Sequence, residues 1–171
     1  GDTLGVSEPS AGNLLFTASG RTFSLNGAAN TTSNSGSLSL SGITSIVINA
    51  AAGADIINVG AFTTGGGFPG LTINGGTGDD TVNFNGNVTF ASNASLAVDL
   101  QDDDSTPGTD VISAPAGSTL SLFGTGAVTF KASGRVGVGA TISTVNGDIL
   151  MEANQQATSS TGTSSGISIA G

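Results

Sequence analysis

Apolar and polar residues alternate in short runs along most of this chain: Phe23-Ser-Leu25, Leu38-Ser-Leu40, Ile46-Val-Ile48, Val82-Asn-Phe84, Leu120-Ser-Leu122, Val136-Gly-Val138, Ile149-Leu-Met151 and Ile167-Ser-Ile169. A period of two is that of a strand with one face buried. Between the runs lie clusters of Gly, Asn, Asp and Ser, which supply positive φ angles and local side-chain hydrogen bonds for turns. Windows of Leu, Glu, Lys and Arg at helical spacing are absent, so the pattern predicts an all-β chain with almost no helix.

The runs also recur in register. Ile46-Val-Ile48-Asn49, Leu71-Thr-Ile73-Asn74 and Leu96-Ala-Val98-Asp99 start 25 residues apart (71−46 and 96−71). Each is followed by a second phrase: Gly53-Ala-Asp55-Ile-Ile57-Asn58, Gly78-Asp-Asp80-Thr-Val82-Asn83 and Gly108-Thr-Asp110-Val-Ile112-Ser113. A period of this size marks a unit that stacks on its neighbours. The prediction is a parallel β-helix, or β-solenoid, with right-handed coils of about 25 residues, forming one domain over 1–171 and clearest over 46–113. Ile48, Ile73 and Val98 should form one inward ladder, and Ile57, Val82 and Ile112 another. Asn49, Asn74 and Asp99 should stack at the following corner, as should Asn58, Asn83 and Ser113, with Asn side chains bonding from coil to coil.

The third coil is longer, since Asp55 to Asp80 is 25 residues (80−55) and Asp80 to Asp110 is 30 (110−80). The extra residues are expected to loop out within Gln101-Asp-Asp-Asp-Ser-Thr-Pro107. The polar stretch 155–166 is expected to form a long loop between coils, because Ile167-Ser-Ile169 resumes the strand pattern after it. An echo between Phe16-Thr-Ala-Ser-Gly-Arg21 and Phe130-Lys-Ala-Ser-Gly-Arg135, and another between Val88-Thr-Phe90 and Val128-Thr-Phe130, suggest a longer repeat laid over the single coils.

Charge changes the functional picture. Twelve acidic residues against three basic ones give a net charge of −9, which disfavours nucleic acid and anionic membrane surfaces as partners and favours divalent cations. Arg21, Lys131 and Arg135 are too few and scattered for a phosphate-binding groove. Absence of Cys and His excludes a disulfide framework, thiolate metal sites and a Ser-His-Asp set. No run of about 18 apolar residues suggests a membrane span, and the opening Gly1-Asp-Thr-Leu reads as an interior or processed piece of something longer.

Two resemblances follow from particular residues. Gly75-Gly76-Thr77-Gly78-Asp79-Asp80-Thr81-Val82-Asn83 resembles the nine-residue calcium-binding repeat of RTX proteins, G-G-x-G-x-D-x-U-x, at every defined position. That likeness implies calcium held by turn carbonyls and the Asp side chain, with Gly75, Gly76, Gly78 and Asp80, and by register Asp55 and Asp110, as its site. Unlike the family, where such repeats occur in tandem, this chain carries one complete copy on a longer coil. The wider chain, including Val145-Asn-Gly-Asp-Ile149 and Glu152-Ala-Asn-Gln-Gln156, resembles the β-strand repeats of very large bacterial surface and adhesin-like proteins. It implies an extracellular, cell-surface location and a fibre or adhesin segment.

Asp80 shares parity with Val82, as Asp55 does with Ile57 and Asp110 with Ile112, so these carboxylates begin on the inner side at a turn. Stacked one coil apart, they repel by about 3 to 4 kcal/mol at an effective dielectric near 20. Calcium would offset this, but capping of the turn amides is the simpler expectation. Asp79, Asp102, Asp103 and Asp104 are expected to be solvated. Asp79-Asp80 with Asp55 could imitate the paired carboxylates of polysaccharide-cleaving β-helix enzymes, yet the basic and aromatic residues that hold an acidic sugar are missing, so no catalysis is expected.

Most of the eight Phe residues, Phe123 among them, lie in strand-like runs and should stack in the core. Phe62 and Phe68, beside Gly65-Gly-Gly67, could sit in an exposed loop or fold back over the coil. Nothing at Gly1 or Gly171 resembles a cap, so copies or further repeats should join head to tail into a filament or layer. A calcium-stabilised adhesin stalk is the alternative. Asn30-Thr-Thr32, Asn87-Val-Thr89 and Asn93-Ala-Ser95 fit the glycosylation sequon.

Overall fold

A computed structural model describes residues 1–21, 24–25, 28–29, 34–63, 66–101, 108–155, 158 and 166–170. The expected loop at 102–107, most of the polar stretch 155–166 and the sequon at Asn30 lie outside these residues. Among the described residues the chain is all-β, without helix.

In chain order the strands are β1 (Thr3–Ser7), β2 (Asn13–Ala18), the two-residue β3 (Ser24–Leu25), β4 (Ala28–Ala29) and β5 (Leu38–Ser39), then β6 (Ser45–Asn49), β7 (Ile56–Val59), β8 (Gly70–Asn74) and β9 (Thr81–Phe84). There follow β10 (Val88–Ser92), β11 (Leu96–Leu100), β12 (Val111–Ala114), β13 (Thr119–Phe123) and β14 (Val128–Ala132). The last four are β15 (Arg135–Val138), β16 (Thr141–Ser143), β17 (Ile149–Ala153) and β18 (Gly166–Ile169). From β6 onward the chain visits three parallel sheets in rotation. The first has the order β17-β14-β11-β8-β6, the second contains β18-β15-β12-β9-β7, and the third is β10-β13-β16.

The 25-residue period appears directly as strand pairing. Ile46, Ile48 and Asn49 of β6 face Leu71, Ile73 and Asn74 of β8, and Leu71, Ile73 and Asn74 face Leu96, Val98 and Asp99 of β11. Ile57 faces Val82, which faces Ile112. Adding a longer third repeat does not disturb this register. Inward side chains thus lie above one another at strand spacing, about 4.8 Å apart. Val98, Val82, Ile112, Phe84 and Phe130 are fully buried, and each such side chain contributes on the order of 1.5–3 kcal/mol.

Phe62 and Phe68 are not exposed. Parallel bridges pair them with Val88 and Phe90 of β10, and the Phe68 ring meets Phe62 at 4.1 Å and Phe90 edge-on at 5.9 Å. Phe62 and Phe68 therefore extend the third sheet beside β10, and their rings fill the core. Phe123 departs from expectation in the opposite sense. It ends β13 one position past the inward Leu122, so strand parity turns its ring outward, where it is 45% exposed.

In the second sheet the amino-terminal residues depart from the parallel pattern. β1 joins β7 in parallel, but β2 pairs with β1 antiparallel and β5 with β2 antiparallel, so the second sheet continues as β7-β1-β2-β5. Leu14 on β2 is buried, with Phe16, Leu38 and Ile46 packed against the same core. The hexapeptide echo likewise marks different settings. Phe16–Ala18 lies on antiparallel β2, whereas Phe130–Ala132 lies on parallel β14.

Candidate functional site

The three Asp residues singled out by the sequence come together in one column at the corner leading into the second sheet. Asp55, Asp80 and Asp110 are all buried. The Asp55 N–H donates to Asp80 Oδ1 at 2.8 Å, and the Asp80 N–H donates to Asp110 Oδ1 at 2.7 Å. Each carboxylate thus accepts the amide of the Asp one repeat below. That is a capping bond, carried between repeats and not within one turn, and a charge-assisted acceptor of this kind is stronger than a neutral one.

Both ends of the column carry residues that sequence reasoning missed. Asp2 N–H donates to Asp55 Oδ1, and Arg21 binds the Asp2 carboxylate at 2.6 Å. A signal for Asp2 existed, because Asp2-Thr-Leu4 has the same form as Asp80-Thr-Val82. At the other end β12 and β15 pair Val111 with Arg135, which places Gly134 opposite Asp110. Ser133 substitutes for the missing carboxylate there. The Asp110 N–H donates to its Oγ at 2.9 Å, and that hydroxyl lies 2.6 Å from Asp110 Oδ2 and 2.7 Å from the Gly108 carbonyl oxygen. Ser133 is fully buried; its shift of one position from the Asp register concealed it.

The glycines beside the column are set by packing between repeats. Gly76 has φ +86°, and a Cβ there would collide with the Ala51 carbonyl oxygen; Gly78 has φ +135°, and its Cβ would collide with the Gly53 carbonyl oxygen. The turns are themselves paired, Gly53 N–H donating to the Thr77 carbonyl at 2.7 Å and Thr77 N–H to the Ala51 carbonyl at 2.8 Å. Gly75 is buried, and a Cβ there would lie 2.6 Å from Asp80 Oδ2. Glycine is required at positions 76 and 78 by close backbone approach and positive φ, and at 75 by the Asp80 and Leu100 side chains. Among the described residues no group of three or more acidic side chains is placed to hold a metal ion, while Asp55 Oδ2 is buried without a hydrogen-bond partner.

The Asn positions form shorter ladders on the outer surface. Asn74 Nδ2 donates to Asn49 Oδ1 at 2.8 Å, and Asn83 Nδ2 donates to Asn58 Oδ1 at 3.0 Å. At Asp99 the ladder changes chemistry: its Oδ1 accepts the Gln101 N–H at 3.0 Å, and the next two register partners, Lys131 and Glu152, form an ion pair at 3.4 Å. Asp79 is exposed and accepts the Thr109 N–H at 2.7 Å. Asp102, Asp103 and Asp104 lie outside the described residues.

Comparison with protein-family models, curated proteins and solved structures finds no match.

Proposed function

We propose that this chain is a structural, non-catalytic segment of a bacterial extracellular or cell-surface fibre, filament or layer, built as a right-handed β-solenoid and joined end to end to copies or further repeats. The observation that carries the reading is the unbroken residue-on-residue register through the first sheet, from Ile46 through Leu71, Leu96 and Val128 to Ile149. Such a stack resists bending because each repeat is tied to the next by a backbone ladder and an apolar core, with the Asp column and the Asn pairs added in the earlier repeats.

The fate of the carboxylates supports a non-catalytic role. Asp55, Asp80 and Asp110 are no more than 5% exposed and spend an oxygen on a backbone amide, whereas an acid–base pair must reach its substrate. End-to-end joining draws support from the repeat itself, because a parallel strand such as β17 or β18 is paired in the same way as the strand before it. Head-to-tail growth by strand addition would need a matching edge at the amino-terminal pole, and in the second sheet β2 and β5 already occupy it. Negative-stain electron microscopy of the purified chain and of material stripped from the cell surface tests the proposal. Slender end-joined particles of uniform width are expected; compact isolated particles, with the protein confined to the cytosolic fraction, would overturn it.

A calcium-stabilised adhesin stalk is the second reading, favoured by the partnerless buried Asp55 Oδ2 and the Gly75–Asn83 likeness. Calcium would then raise the melting temperature and a chelator would lower it. Identical melting curves in both would remove this reading.

A further inference from the structure

The fold places the three basic side chains of this acidic chain in different settings. Arg21 pairs with Asp2 and Lys131 with Glu152, whereas among the described residues Arg135 makes neither an ion pair nor a side-chain hydrogen bond. Val136 and Val138 of β15 are buried, so strand parity turns Arg135 and Gly137 outward on the flank of the stack. The Arg135 guanidinium lies back over its own strand: a Cβ built on Gly137 would meet Nη2 at 3.3 Å and both Cζ and Nε at 3.4 Å. Three nearly equal distances mean that the guanidinium plane rests flat on Gly137, a seat that a residue with a side chain would fill. Register sets Ser113 of β12 on one side of Gly137 and Ser168 of β18 on the other. Arg135, Gly137 and the two serines line one groove of about 210 Å³, with Pro115 in its wall.

We infer that this groove binds a carboxylate group, with the Arg135 guanidinium as its counter-charge and the Ser113 and Ser168 hydroxyls as flanking donors. A guanidinium presents its N–H groups in a planar fork that matches the two oxygens of a carboxylate. The Gly137 seat holds that fork in one orientation before a ligand arrives, which lowers the cost of ordering it on binding. One positive charge beside two neutral hydroxyls balances a monoanion. A phosphate dianion would bring an uncompensated charge to a chain already at −9. The groove is smaller than the pockets that enclose whole drug-sized molecules, so it takes the carboxylate and few atoms beyond it. The ligand therefore offers this group at an end or on a side branch, as an acidic sugar or an acidic peptide side chain does. Because the groove lies on the flank of the stack, its use does not depend on how repeats or copies are joined.

Amide-detected NMR titration of the whole 171-residue chain tests the site. Sodium acetate is the first probe, with sodium chloride at equal ionic strength as the blank. Acetate should give saturable shifts centred on Ser113, Gly137 and Ser168, and chloride should not. Arg135→Gln should abolish them, and Arg135→Lys, which keeps the charge without the fork, should weaken binding at least about threefold. The strand conformation of Gly137 suits alanine, so Gly137→Ala should leave the circular dichroism unchanged yet weaken binding by a similar factor, because its methyl group displaces the guanidinium. Arg21→Gln, at a residue already paired with Asp2, should change nothing. Glucuronate and N-acetylaspartate amide then separate the two sources, and tighter binding of either supports the site and assigns its ligand to an acidic sugar or an acidic peptide. Inorganic phosphate bound more tightly than acetate would overturn the carboxylate class. Shifts that survive Arg135→Gln, that vanish with Arg21→Gln, or that saturate with none of the carboxylates would overturn the site, as would unaltered acetate binding by Gly137→Ala.

Discussion

At the amino-terminal side Leu14 of antiparallel β2 and Ile48 of β6 are buried, whereas Ile149 of β17 and Ile169 of β18 are 46% and 72% exposed. The alternation that builds the two regions is the same, and the difference lies in the pairing: β2 and β5 are antiparallel, whereas β17 and β18 are parallel. A parallel stack leaves an edge of unpaired amides and carbonyls together with a cut core. One antiparallel turn-back deals with both at once, since β2 satisfies the β1 edge while its apolar face covers the core.

The sharpest way to break this comparison is to remove equivalent apolar bulk from each pole. Leu14→Ala should cost about 2–5 kcal/mol, the range for a buried Leu that leaves a cavity. Ile169→Ala, at a site 72% exposed, should change monomer stability by less than about 0.5 kcal/mol. Urea denaturation at a concentration below association would check both. Equal costs would mean that the amino-terminal strands do not seal the core as described.

The Asp column gives the next largest effect and distinguishes its middle from its ends. Asp80→Ala removes the acceptor of the Asp55 amide in a buried site and should cost about 1–3 kcal/mol. Asp80→Asn keeps an acceptor oxygen and relieves repulsion between stacked carboxylates, so most of that loss should be restored. Ser133→Ala removes the acceptor of the Asp110 amide and should resemble Asp80→Ala in size. An Asn variant as unstable as the Ala variant would mean that the carboxylate charge, not the acceptor, holds the corner.

What could be read from the sequence was whatever repeats at fixed spacing. Leu71 sits over Ile46 and Leu96 over Leu71 because 25 residues separate each pair, and the inward parity of Asp80 follows from Val82 two residues on. Strand direction carries no such mark: Leu14 and Phe16 share strand parity as Leu71 and Ile73 do, and no residue of β2 signals its antiparallel pairing. Phe62 and Phe68 were obscured by the Gly65–Gly67 run between them, which suggested an open loop, whereas the backbones of Phe62 and Phe68 themselves bond to Asn87, Thr89 and Ala91 of the next repeat. Ser133 escaped because Gly134 holds the register position and the hydroxyl reaches it from one residue away.

A smaller effect is expected at the Asn pairs. Asn74 Nδ2 donates to Asn49 Oδ1 at the exposed side of the stack, where water competes for both groups. Asn49→Ala should therefore cost no more than about 0.5–1.5 kcal/mol, the net worth of one hydrogen bond, and urea midpoints measured beside Asp80→Ala would rank the two corners. A larger loss at Asn49 than at Asp80 would reverse the ranking of inner column over outer ladder.

The smallest effect concerns the charge at the amino-terminal end of the Asp column. Arg21 and Asp2 form an ion pair at 2.6 Å, but their side chains are 61% and 45% exposed, so solvent screens the attraction and the pair should be worth no more than about 1 kcal/mol. Asp2→Ala retains the backbone N–H that donates to Asp55, so only the ion pair is lost. Asp2→Pro removes that N–H as well and leaves a buried carboxylate oxygen without its donor. The proline variant should then be the less stable of the two by about 1–3 kcal/mol, and the small deficit of the alanine variant should vanish in 1 M salt while that of the proline variant persists. Equal stability of the two variants would show that the column ends at Asp55, and that Asp2 guards the pole only through its charge.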